Sequence, residues 1–258
     1  MLAVAKDGTK VPMGVLTAAG PVRARSILLD AYGSYGVAAL PYFTARNLAF
    51  VDAGGSFVEC NVRGGGEMGE AWRLGGRDAN KPNAWRDAIA CGEALIKAGY
   101  TTKSQLAITG TSAGGTMVGR AATERPDLFA AAISRVADSN ALRSETMAGG
   151  PANIPEFGTV KDPQGCKNLL EMDAYQHVKD GTAYPAWMLS TGLQDLRVAP
   201  WQAAKMAARL QAAGGSAPVL VRIEEQAGHG LGTTRTTREA EDADIAAFVF
   251  QLTREKGW

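Results

Sequence analysis

The sequence predicts an α/β fold built on a mostly parallel sheet with helices on both faces. Three observations carry this expectation. Short apolar runs that end in glycine or a polar turn alternate with stretches whose apolar residues recur at helical spacing. The runs "SILLDAYG", "QLAITG" and "PAWMLSTG" read as buried strands, and buried strands separated by helices imply parallel pairing. No repeat, low-complexity segment or change of composition divides the 258 residues, so residues 1–258 read as one domain.

The elements follow in order. "DGTKVP" is turn-rich, and "GVLTAAGPVRARSILLDAYG" holds two apolar runs split by Gly-Pro, which reads as a hairpin or edge strands leading into a buried strand. "LAFVDAGG" and "SFVECNVRGGG" read as two further short strands with glycine exits. In "NAWRDAIACGEALIKAGY", Trp85, Ile89, Ala90, Ala94 and Leu95 fall on one helical stripe, and Gly99 marks its end. "QLAITG" is a strand, "AGGTMVGRAATERP" a helix stopped by Pro126, and "FAAAISRVAD" a strand with a polar exit. Residues 139–184 are irregular and rich in Gly, Pro and Asn, as expected of an insertion that shapes a site. "PAWMLSTG" is a strand, "WQAAKMAARLQAAGG" an amphipathic helix stopped by glycines, and "PVLVRIEEQAGHG" a strand and loop. "REAEDADIAAFVFQLTREKGW" is the closing helix.

Composition narrows the function classes. Hydrophobic residues make up 46% and charged residues 21%, ordinary for a soluble globular chain. A net charge of +1 supplies no field for nucleic acid or an anionic membrane, so neither is an expected partner. No stretch approaches the ~18 apolar residues of a membrane-spanning helix. The opening "MLAVAKDGTKVPMGVL" does not read as a signal peptide, which makes the cytoplasm the expected location. Cys60, Cys91 and Cys166 are odd in number and widely spaced, so neither a disulfide framework nor a zinc site is expected, and a reducing compartment follows. A homo-oligomer is the one protein partner this reading admits.

The chemistry is carried by "GTSAGG", residues 110–115, a G-x-S-x-G pattern between the strand "LAIT" and a helix. That context is a nucleophile elbow, in which a serine hydroxyl stands on a tight turn with small neighbours. The first backbone N–H of the following helix, at Ala113, points toward a developing oxyanion. The competing reading is a glycine loop with Ser112 as a helix cap. A serine needs a base, and the chain has two histidines. His229 lies in a glycine-flanked loop after a late strand, whereas His177 reads as an exposed helix end. The order nucleophile, acid, histidine is that of the α/β-hydrolase fold, so the acid falls between residues 112 and 229. Asp138 and Asp195 both leave strand ends. Asp195 is favoured because its strand adjoins the histidine strand in sequence, and Asp138 is given a turn role in "ADSN".

Five blocks in order, "NVRGGGEMGEAWRLGG", "GTSAGG", "RPDLFAAAISRV", "DLRV" and "AGHG", resemble the catalytic domain of the prolyl oligopeptidase family of serine peptidases. The similarity runs from "KDGTKVP" to the closing helix, and "RGGGEMGEAW" is its most specific part. The resemblance implies Ser112, Asp195 and His229 as the triad. It implies the Tyr32 hydroxyl of "AYGSYG" as a second oxyanion donor beside the Ala113 N–H. It places Arg197 on a substrate carbonyl, and Tyr35, Phe157 and Val198 around the pocket for the residue before the scissile bond. Asn61, Arg63 and Glu67 read as structural supports of the glycine loop. Two departures follow. Nothing here resembles the propeller that caps family members, so a more open site and ester hydrolysis are expected. Asn153 stands where proline-selective relatives carry a tryptophan. Glu156, nearby, would favour a basic residue, as in the oligopeptidase B branch of the family, but it reads rather as an exposed loop residue. An oligopeptidase specific for proline or for basic residues is the alternative the resemblance leaves open.

The expected function is hydrolysis of esters or short peptides through an acyl-enzyme, with no metal or organic cofactor. A non-catalytic binding protein on the same fold is the rival, and it predicts decay of a triad or oxyanion position, none of which has decayed. A dehydrogenase reading of the glycine runs fails, because no G-x-G-x-x-G opens a helix.

Overall fold

Ordered along the chain, β1 (Leu2–Val4), β2 (Lys10–Leu16) and β3 (Ile27–Asp30) precede α1 (Ala45–Asp52). Then come β4 (Ser56–Cys60), α2 (Glu70–Leu74), α3 (Pro82–Lys97), β5 (Leu106–Thr111), α4 (Ala113–Glu124) and β6 (Ala131–Arg135). The irregular stretch folds into single turns at Ala141–Thr146 and Gly150–Asn153, then α5 (Ile154–Phe157) and α6 (Pro163–Met172). β7 (Ala186–Gly192), α7 (Trp201–Ala212), β8 (Val219–Glu224) and α8 (Arg235–Thr253) complete the chain. These elements come from a computed structural model that describes residues 1–40, 42–230 and 233–253.

The eight strands form one sheet in the order β1-β2-β4-β3-β5-β6-β7-β8. The β1–β2 and β2–β4 pairs are antiparallel, and every pair from β4 to β8 is parallel. Strand order reverses at β3, which lies between β4 and β5. A doubly wound sheet opens its binding crevice at the carboxyl ends of the strands beside such a reversal. β3 ends at Asp30, in register with Thr109, and β5 runs on to Thr111, so the loops that follow Asp30 and Thr111 mark the site.

Alternate residues of the strands feed two cores. Ile27, Leu29, Val58, Leu106 and Ile108 point to one face, where Trp85 of α3, Val118 of α4 and Met206 of α7 cover them. Leu28, Phe57, Ala107, Ile133 and Met188 point to the other, under Phe50 of α1 and Phe248 and Val249 of α8. Each large apolar side chain buried this way contributes about 1.5–3 kcal/mol.

Two sequence expectations are corrected. "LAFVDAGG" is not a strand: its first residues end helix α1, capped by Thr44, whose hydroxyl accepts from the Asn47 N–H at 3.2 Å. Packing decides it, because a helix turns Phe50 onto Phe250, with ring centroids 4.6 Å apart. Cys60 and Cys91 are joined by a disulfide, with Cα atoms 6.5 Å apart. The partners lie 31 residues apart on β4 and α3, a pairing made by the tertiary fold and invisible to local spacing. Cysteine usage thus gives no ground for a reducing compartment. No helix among the described residues is long and apolar enough to cross a membrane.

Candidate active site

Ser112 sits between β5 and α4 with φ 57° and ψ −122°, a left-handed backbone that a non-glycine residue adopts only under constraint. The constraint is visible. The Ser112 N–H donates to the Arg135 carbonyl on β6 at 2.8 Å, and the Ser112 carbonyl accepts from Thr116. The turn is also too tight for side chains. A Cβ at Gly114 would stand 2.6 Å from the Ala31 carbonyl oxygen, and one at Gly110 would meet the Gly114 backbone. The hydroxyl makes no capping bond to α4, which removes the helix-cap reading of Ser112.

The structure brings the three residues singled out from sequence together. His229 Nε2 lies 2.8 Å from Ser112 Oγ, and His229 Nδ1 lies 2.7 Å from Asp195 Oδ2. With Nδ1–H donating to the carboxylate, Nε2 is left as the acceptor for the serine proton. The other Asp195 oxygen, Oδ1, accepts from the N–H groups of Arg197 and Val198 at 2.9 and 2.8 Å. Burial pushes this carboxyl up, but the His229 ring and the two backbone N–H groups outweigh it and hold it below the usual range. His177 lies elsewhere: its Nδ1 is 2.8 Å from the Asp173 carbonyl, in the turn after α6.

A cavity of about 150 Å³ opens beside Ser112. Ala113, Tyr35, Asn153, Phe157, Arg197 and Val198 line it together with His229, so every residue expected around the pocket is present. The Tyr35 hydroxyl donates to Asn153 Oδ1 at 2.9 Å, and Tyr35 meets Phe157 edge-on at 5.6 Å. Tyr32 is not among the lining residues. It sits against the turn: a Cβ at Gly114 would stand 3.3 Å from its Cα. Burial raises the phenol of Tyr32 above its ordinary value, which keeps it a hydrogen-bond donor, although the Arg197 charge opposes the shift. No acceptor among the described residues takes the Ala113 N–H.

The glycine loop braces this site from behind. A Cβ at Gly64 would overlap the Gly33 carbonyl, so the loop packs backbone to backbone against the segment carrying Tyr32 and Tyr35. Arg63 anchors it with Nε and Nη2 on the two Asp87 oxygens, at 2.8 and 2.6 Å, and Nη1 on Asp7 at 2.6 Å. Glu67 Oε1 accepts from the Ala39 N–H and the Asn61 amide. The structural roles expected of Asn61, Arg63 and Glu67 are those observed.

Two residues differ from expectation. Glu156 is not an exposed loop glutamate. It is buried and pairs at 2.7 Å with buried Lys81, whose ammonium also reaches the Gly33 carbonyl and Ser34. Asp138, read as a turn residue, is 6% exposed and lines the cavity. Gln202 donates to its Oδ1 at 2.7 Å, and burial pushes its carboxyl up to about 6. Its place at a strand exit was the available signal. A larger cavity, about 310 Å³, opens between α1, β3 and α8. It is mostly apolar and holds no nucleophile next to a base, so the chemistry belongs to the smaller one.

Known proteins share the sequence pattern and the fold of this chain. The sequence profile of the prolyl oligopeptidase family matches residues 41–256. A prolyl endopeptidase of Elizabethkingia miricola is 37% identical over 247 residues, covering 94% of this chain and 35% of the relative. Dipeptidyl aminopeptidase BI of Pseudoxanthomonas mexicana is 32% identical over 254 residues, covering 96% of this chain and 35% of the relative. Oligopeptidase B from Trypanosoma brucei superposes with a TM-score of 0.94 at 34% identity, over 99% of this chain and 37% of that one. A solved prolyl endopeptidase gives 0.92 at 36% identity, over all of this chain and 37% of its own. The chain spans about a third of the length of these relatives.

Proposed function

The chain belongs to the prolyl oligopeptidase family, and on that premise we propose that it is a serine hydrolase acting on short peptides and carboxylic esters. The observation that carries this reading is the relay from Asp195 through His229 to Ser112, at 2.7 and 2.8 Å, on a strained strand-to-helix turn.

Ser112 Oγ attacks the substrate carbonyl carbon as its proton passes to His229 Nε2. Asp195 holds the ring in the required tautomer and stabilises the imidazolium. The negative charge on the former carbonyl oxygen falls to the Ala113 N–H and the Tyr32 hydroxyl, each worth about 3 kcal/mol in comparable hydrolases. His229 then gives its proton to the departing amine or alcohol as the C–N or C–O bond breaks. Water attacks the acyl-enzyme by the same route in reverse and frees Ser112. Arg197, Tyr35, Val198, Phe157 and Asn153 hold the acyl portion in the cavity. Esters give up an alkoxide or phenolate more readily than peptides give up an amine, so activated esters are the more sensitive assay.

Hydrolysis of a p-nitrophenyl short-chain ester and of a proline-containing peptide amide tests the reading. Wild type is expected to turn over at least the ester, and Ser112→Ala to lose at least about 10⁴-fold in kcat. Unchanged ester turnover in Ser112→Ala would refute the assignment of the nucleophile.

A further inference from the structure

The cavity beside Ser112 contains a charge that the proposed mechanism does not use. Asp138 leaves the end of β6, is almost fully buried, and lines the same cavity as Ser112 and His229. Its hydrogen-bond partners are neutral: the Ser144 hydroxyl donates to the carboxylate, and Gln202 Nε2 donates to Oδ1 at 2.7 Å, while Gln202 Oε1 accepts from the Asn140 N–H at 2.7 Å. That last bond fixes the amide, so the carboxylate is held in place before any substrate arrives. No lysine, arginine or histidine lies within ion-pair distance of it among the described residues. The charges around it do not supply a partner. Arg197 lines the cavity without pairing with Asp138, Asp173 has the same sign, and the Lys205 ammonium is bonded to Asn140. The other acid near the site, Glu156, is already neutralised by Lys81.

A buried carboxylate facing a cavity with no cation of its own is costly unless a ligand supplies one. An acyl chain attached to Ser112 must place its side chain in this cavity, which has room for a lysine-sized or a proline-sized group. Size therefore does not discriminate between the two, whereas charge does. Resting on the hydrolase reading above, we propose that Asp138 sets the acyl-side specificity of this site and selects a side chain ending in an ammonium or guanidinium over a neutral one. The rings of Tyr35 and Phe157 would flank the methylene stem, and Asn153, held by Tyr35, offers a polar neighbour where a stacking aromatic would favour proline.

The test uses this chain and three aminomethylcoumarin amides, benzyloxycarbonyl-glycyl-lysyl, -norleucyl and -prolyl, with kcat/KM read for each. Wild type should favour lysyl over norleucyl by at least about tenfold, and Asp138→Asn should bring that ratio to about unity or below. Because the ratio is taken within one protein, it does not depend on the fraction folded. Wild type favouring norleucyl or prolyl would overturn the proposal, as would an Asp138→Asn variant that keeps the lysyl preference. Labelling of Ser112 by a fluorophosphonate separates the two readings. Labelled Ser112 with no lysyl preference sinks only this proposal, and unlabelled Ser112 with no turnover sinks both. If Asp138→Asn does not fold, the wild-type ratio is read against pH. It should fall as pH drops through about 6, where Asp138 takes up a proton, and a flat ratio would overturn the assignment. The His229 step is common to both substrates and cancels.

Discussion

Asp195 faces three N–H donors, from His229, Arg197 and Val198, and these keep it charged inside the protein. Asp195→Asn would retain the shape of this contact but present an amide to Nδ1, favouring the wrong tautomer of His229. We expect kcat to drop by about 10⁴-fold with little change in Tm; ester kinetics beside a thermal melt would check both. Ser112, His229 and Asp195 were readable from the sequence because each closes a strand with a short polar or glycine loop, in one chain order. Their support was less readable. Glu156 looked like a loop residue because its partner Lys81 lies 75 positions earlier. Asp138 competes with Asp195 for the place of the triad acid and yields it because the Asp195 strand adjoins the histidine strand in sequence; its burial at the cavity is not legible, since nothing local shows that Gln202 reaches back to it.

At the level of elements, β3 and β4 place Asp30 and Glu59 side by side in register. Burial raises both carboxyls, Asp30 to about 6 and Glu59 to about 8, and the Asp30 charge adds to the shift of Glu59. A carboxyl raised in the folded state binds its proton more tightly there than in the unfolded chain. Its stabilising contribution is therefore complete below the ordinary value of 4.5 and is lost as pH rises through about 8. Tm should accordingly rise by a few degrees between pH 8 and pH 6. Glu59→Gln should raise Tm at pH 8 and flatten that slope; a variant no more stable than wild type at pH 8 would contradict this account. The alternation of strands and helices was legible because apolar period and glycine stops agree in most elements. It failed at α1, where the contact between Phe50 and Phe250 joins residues 200 positions apart in sequence.

Across the whole molecule, the bond between Cys60 and Cys91 ties the sheet to α3 behind the glycine loop. Closing a loop of this length restricts the unfolded chain and contributes about 4 kcal/mol. Reduction with alkylation, or Cys91→Ala, should lower stability by that order in a denaturant titration, while alkylation of exposed Cys166 alone should not. The same bond changes what a broken chain looks like. Every peptide bond from residue 60 to residue 91 lies inside a covalent ring, including those of the segment that braces Tyr32 and Tyr35. A single proteolytic nick there opens the ring without dividing the molecule, so both fragments migrate as one band until a thiol is added.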